Sequence, residues 1–126
     1  EFDLGEPAQC RVIADGNGNG VTSADVAAGI DAPHSPWRLV FREGRARLAV
    51  GWELPSADGT TTIAAGSAPV QLGAMTRLLF TPRGTATAAS IYVAGRGDRA
   101  YAIRVLGSTQ RIRLLCLGPH DEWEAC

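Results

Sequence analysis

At 126 residues the chain has the length of a single domain, enough to bury roughly two-thirds of its unfolded surface, and residues 1–126 read as one unit. A hydrophobic fraction of 45% with 20% charged residues excludes a disordered or fibrous chain, and a net charge of -1 weighs against a protein that coats nucleic acid. No run reaches the ~18–20 apolar residues of a membrane span, and no charged segment followed by an apolar one opens the chain, which therefore reads as soluble as it stands.

The first element is Gln9 to Ala14, where polar and apolar residues alternate with the period of a half-buried strand. Asp15 to Gly20 (DGNGNG) is the strongest turn signal in the chain, because Gly and Asn accept positive φ at little cost. Ser23 then stands as N-cap of a short Ala-rich helix over Ala24 to Ile30. Beyond the loop bracketed by Pro33 and Pro36, the runs Trp37 to Phe41 and Ala46 to Trp52 predict a hairpin across the link Arg42-Glu43-Gly44-Arg45. Glu53 to Gln71 is rich in Gly, Pro, Ser and Thr and predicts a long surface loop with one weak strand around Thr61 to Ala64.

The second half predicts four strands: Thr76 to Phe80, Ala88 to Val93, Ala100 to Leu106 and Arg111 to Leu117. Short links at Gly95 to Asp98 and Gly107 to Gln110 give the spacing of an antiparallel meander. Alternation puts Tyr101, Ile103 and Val105 on one face and Ala102 and Arg104 on the other, as in a sheet wet on one side.

Cys10, Cys116 and Cys126 lack zinc-ligand spacing. Cys116 lies in a strand-like run and Cys126 closes the chain, so a bridge between them would hold down a tail and imply an oxidising compartment. The alternative is three buried, reduced cysteines.

Three segments together resemble the GspH/FimT family of minor pseudopilins and type IV pilus assembly proteins. They are CRVIADGNGNGVTSADVAAGID at Cys10 to Asp31, LLFTPRGTA at Leu78 to Ala86, and YAIRVLGSTQRIRLL at Tyr101 to Leu115. The resemblance implies a mainly β, pilin-like globular head of two packed antiparallel sheets with one short helix. It also implies an assembly role without catalytic residues, in which the head contacts other pilin or pseudopilin subunits of a type II secretion or type IV pilus filament. The family's N-terminal apolar helix, with a glutamate near its start, is missing here and is expected to have been removed or to come from another polypeptide. The expected location is a periplasmic head anchored to the inner membrane, or an extracellular filament.

Asp15, Asn17, Asn19 and Asp25 imitate the start of a calcium loop, in which oxygen ligands recur at alternate positions. Position twelve, where a closing carboxylate belongs, is Val26; Asp25 comes one residue early and Asp31 offers a third carboxylate. The competing reading is a plain Asx/Gly turn, with no cofactor. Arg111 and Arg113 share one strand face and are candidates for phosphate or carboxylate contacts. Some FimT-side relatives are linked to DNA uptake through Gly-Arg-x-Arg at this place, where Gln110 stands here instead of Gly; a solvated face is the other reading.

His34 and His120 lie beside prolines in loops and form no local catalytic motif, and DGNGNG lacks the Lys of a phosphate loop. Trp37 and Trp52, in apolar strand context, are expected in the core. Trp123, amid acidic neighbours, is expected to be exposed.

Overall fold

The computed structural model describes residues 1–41, 44–75 and 77–126. The protein is mainly β, with 33% of residues in strands and, among the described residues, one five-residue helix and several antiparallel sheets. It divides into two compact units, residues 1–42 and 43–126.

The first unit holds β1 (Phe2–Asp3), β2 (Gln9–Cys10), β3 (Ile13–Ala14), α1 (Ser23–Ala27), β4 (Ala32–Pro33) and β5 (Arg38–Leu39). β1, β2 and β5 form one small antiparallel sheet, and β3 pairs with β4 in a second. The alternating stretch from Gln9 to Ala14 is thus two strands in different sheets, broken at Arg11 and Val12. Helix α1 starts one residue earlier than predicted. Its cap is Thr22, whose hydroxyl accepts the Asp25 N–H, and Ser23 is already helical. It ends early because Gly29, at φ 75°, turns the chain into the left-handed region, while the Ile30 and Asp31 amides fold back onto the Asp25 carbonyl.

The second unit carries β6 (Arg47–Leu48), β7 (Leu54–Pro55), β8 (Thr62–Ile63), β9 (Val70–Gln71), β10 (Ala89–Ala94), β11 (Ala100–Val105), β12 (Ile112–Leu117) and β13 (Trp123–Ala125). Its main sheet runs β13-β12-β11-β10-β6, with β9 also paired to β10. The meander β10-β11-β12 follows the sequence expectation closely. Each residue of β10 is buried, so this strand is covered on both faces.

Several expectations differ. Trp37 to Phe41 and Ala46 to Trp52 do not form a hairpin: β5 pairs with β2, whereas β6 pairs with β10. Part of the link proposed for that hairpin, Arg42 and Glu43, lies outside the described residues. The stretch from Glu53 to Gln71 is in large part exposed, as expected, and its weak strand exists as β8, but it also holds β7 and sends residues into the core. Leu54 and Ile63, paired across the β7–β8 ribbon, are 4% and 6% exposed and belong to the core. Leu78 to Phe80 is not a strand but enters an isolated bridge, Phe80 to Ala86, around a tight turn; Thr76 lies outside the described residues.

One face of the main sheet supplies the core. Tyr92, Ala100 and Ala102 pack with Val50, Leu54 and Ile63, and Trp52, Leu115, Leu117 and Trp123 lie against them. The two alanines, 6% and 0% exposed, share this apolar cluster with the β7–β8 ribbon residues Leu54 and Ile63. The Ala102 side of β11, expected to be wet, is therefore the drier one.

Candidate functional site

The Asp15 loop brings its predicted residues together. Asp15 Oδ1 accepts the Asn17 and Gly18 N–H groups and Oδ2 accepts that of Gly20. Asp25 Oδ2 accepts the side-chain amides of Asn17 (3.2 Å) and Asn19 (3.0 Å). Asp31, fully buried, accepts from the Gly16 N–H through one oxygen and from the Thr22 N–H through the other, at 2.9 and 3.0 Å. The Gly20 amide in particular, with those of Gly18 and Asn17, holds the Asp15 carboxyl below its ordinary range against opposing desolvation. The Asn19 and Asn17 side chains do the same for Asp25, opposed by desolvation and by the charge of Asp15. Each carboxylate is thus engaged by N–H donors, and no group of three or more His, Cys, Asp or Glu residues placed to hold a metal occurs among the described residues. Chemically, the loop is an anion-centred backbone clamp.

Arg111, one residue before β12, and Arg113 within it are both exposed. The structure adds Arg104, which stands directly opposite Arg113 in the β11–β12 pairing. Arg104 donates to the Ser90 hydroxyl at 2.8 Å and to the Ala89 carbonyl at 3.4 Å. Asp58, within electrostatic reach of Arg104, is held at about 2, first by the Ser56 hydroxyl and then by Thr60, with Arg104 the weakest contributor. Like charges placed opposite one another in a sheet repel. The signal for this neighbour was present in the sequence: a four-residue link from Gly107 to Gln110 puts Leu106 against Arg111, and two steps outward put Arg104 against Arg113.

Gln110 has φ 57°, the left-handed conformation that favours glycine. Its side-chain amide donates to the Thr81 and Thr85 carbonyls, both at 2.8 Å, tying the β11–β12 link to the Phe80–Ala86 turn. On the opposite face of the sheet from the core, Ile112 and Leu114 are 58% and 55% exposed.

At the far end of β12 a cavity of about 350 Å³ is lined by Trp52, Asp98, Leu117, Gly118, Pro119 and Asp121. Asp98 comes from the β10–β11 link and Asp121 from the β12–β13 turn, where the Gly118 N–H donates to the Glu122 carbonyl. Asp121 sits at φ 55°, tolerable for Asp. Sequence reasoning missed this cavity, because its residues lie in three separate segments.

Cys116 and Cys126 form a disulfide, with Cα atoms 5.1 Å apart, and Cys10 is a free thiol. Two tryptophan expectations are corrected. Trp37 is 39% exposed, with the Arg11 guanidinium 4.6 Å above its ring, so it is a surface cation–π partner. Trp123 is half-buried, packs at 6.1 Å from the Tyr92 ring and donates its indole N–H to the Pro55 carbonyl at 2.8 Å. Trp52 packs on the core as expected. No helix among the described residues is long and apolar enough to cross a membrane.

Comparison with known proteins returned no match to any family model, curated protein or solved structure.

Proposed function

We propose that this chain is the head of a pilin-like assembly subunit, a minor pilin or pseudopilin that works through its exterior in a type IV pilus or type II secretion filament. The observation that carries the reading is the backbone at residue 110. The Gly-Arg-x-Arg motif of the FimT-side relatives has glycine where this chain departs from it with Gln110, yet Gln110 takes the left-handed conformation that glycine accepts most easily. Gln110 also ties the turn within LLFTPRGTA to the strand carrying Arg111 and Arg113, so two of the three resembling segments meet physically.

Two further features support the reading. Ile112 and Leu114 leave a row of apolar surface on the sheet, of a kind that marks sites of association. The Cys116–Cys126 bridge suits an oxidising compartment such as the periplasm or cell surface.

The test is the gene upstream of Glu1 and the fate of its product. An apolar helix preceded by a site that a prepilin peptidase cleaves, with co-purification of other pilin-like subunits, is the expected result. A continuous cytoplasmic domain in that position overturns the proposal.

A further inference from the structure

We propose that the cavity at the end of β12 is a receptor for an arginine side chain, and that the arginine comes from the start of β12 in a second copy of this chain. The inference deepens the assembly reading by naming a contact, and rests on it only for biological setting.

The lining defines the ligand class. Asp98 and Asp121 bring two carboxylates to a cavity whose other walls are Trp52, Leu117, Gly118 and Pro119, with no basic residue among them. Neither carboxylate makes a side-chain hydrogen bond or ion pair among the described residues, although Arg96 and Arg99 flank Asp98 in the same link and Glu122 follows Asp121. An indole, half-buried against the core, in the same lining as two exposed carboxylates suits a guanidinium, which can pack on an aromatic ring while its edge donates to carboxylate.

The same chain carries the complement. Arg111 and Arg113 are exposed, make no side-chain bond among the described residues, and gain a third cation from Arg104 across the sheet. They cannot fill the cavity of their own molecule. Arg113 stands four residues and Arg111 six residues before Leu117 in the cavity wall, about 13 and 20 Å away at about 3.3 Å per residue, beyond the reach of one side chain. A second copy displaced along the strand direction brings basic start to acidic end. Such a contact joins two different patches and leaves the pair with one free donor on one copy and one free receptor on the other, so it propagates head to tail. With a net charge of -1, the chain as a whole neither favours nor opposes self-contact strongly, and the complementarity is local.

Sedimentation of the 126-residue chain over a concentration series tests this at 50 and 500 mM NaCl. The expected result is concentration-dependent association that weakens at least tenfold at the higher salt. Asp98→Asn/Asp121→Asn and Arg111→Ala/Arg113→Ala should each abolish it while keeping the wild-type circular dichroism. An equimolar mixture of the two double variants should give a complex that stops at two chains, because only one donor and one receptor remain.

A wild-type chain that stays monomeric at millimolar concentration overturns the inference, as does association that survives both double variants. A monomeric chain whose mobility shift on short duplex DNA is lost in Arg111→Ala/Arg113→Ala also overturns it, and assigns those arginines to phosphate instead. None of these results bears on peptidase cleavage of the full gene product, so failure of this contact and failure of the assembly reading are separable.

Discussion

The two units reach order by opposite routes. Among the described residues of 1–42, the one fully buried side chain is a carboxylate, Asp31, and the unit is organised by N–H groups converging on acids. In 43–126 the buried set is almost wholly apolar, from Val50 and Leu54 to Tyr92, Ala102 and Val105. Apolar burial is non-directional and scales with area, so it tolerates small displacements; a carboxylate clamp works only while its donors remain within hydrogen-bonding range. The first unit should accordingly open locally at lower cost than the second, which is visible as weaker amide protection against hydrogen exchange.

Truncation of Tyr92 should do the greatest damage. Its ring is 1% exposed, packs on Trp123, and its hydroxyl accepts the Ala57 N–H at 2.9 Å. Tyr92→Ala should cost about 3–5 kcal/mol of unfolding free energy in denaturant, from lost burial and the cavity left behind. Tyr92→Phe keeps the ring but strands the Ala57 N–H, for about 1–3 kcal/mol. A Tyr92→Ala loss under 1 kcal/mol would mean the second unit is not held by this core.

The polar unit should break at Asp31. Asparagine keeps the shape but offers one oxygen to two N–H donors, and its amide confronts the other donor, so Asp31→Asn should cost about 1–3 kcal/mol. The loss should appear as faster exchange at Gly16 and Thr22 with protection in β10 and β11 unchanged. Equal loss of protection in both units would abolish the distinction between them.

How much of this was legible in sequence follows the same divide. β10, β11 and β12 were readable because each is a strand-forming run bounded by turn residues and short links fix their register. The β7–β8 ribbon was not, since Leu54 and Ile63 sit in a Gly/Ser/Thr-rich stretch and become core residues only by packing with residues distant in sequence, Tyr92, Ala100 and Ala102. Trp123 was misjudged for the same reason: its acidic neighbours are exposed, while its indole meets Tyr92 and the Pro55 carbonyl 68 positions back. The DGNGNG residues were legible as a cluster, and so was the Cys116–Cys126 pair. The cavity of Trp52, Asp98 and Asp121 carries no local pattern at all, because three chain segments must first be brought together.

The gentlest way to sharpen the comparison is acid. Asp58 in the second unit is held at about 2, against an ordinary 3.8, and its foremost cause is the Ser56 hydroxyl at 2.6 Å. Because its folded value is depressed, the stabilisation is complete above about pH 4 and disappears as pH falls through about 2. Asp15 and Asp25 in the first unit are depressed as well, so the same sign applies there: protonation below the ordinary carboxylate range loosens the loop. Ser56→Ala removes the principal donor to Asp58 and leaves the Thr60 and Thr61 N–H groups without the hydroxyl they share. Carboxyl chemical shifts followed by NMR from pH 6 to 2 should show Asp58 titrating nearer 3.8 in that variant, with Asp15 and Asp25 unmoved. The melting temperature of the variant should also fall less between pH 4 and 2 than that of the wild type. An unchanged Asp58 titration in Ser56→Ala would shift the cause to Thr60 and Arg104, and with it the claim that this exposed acid is governed by its own buried neighbour.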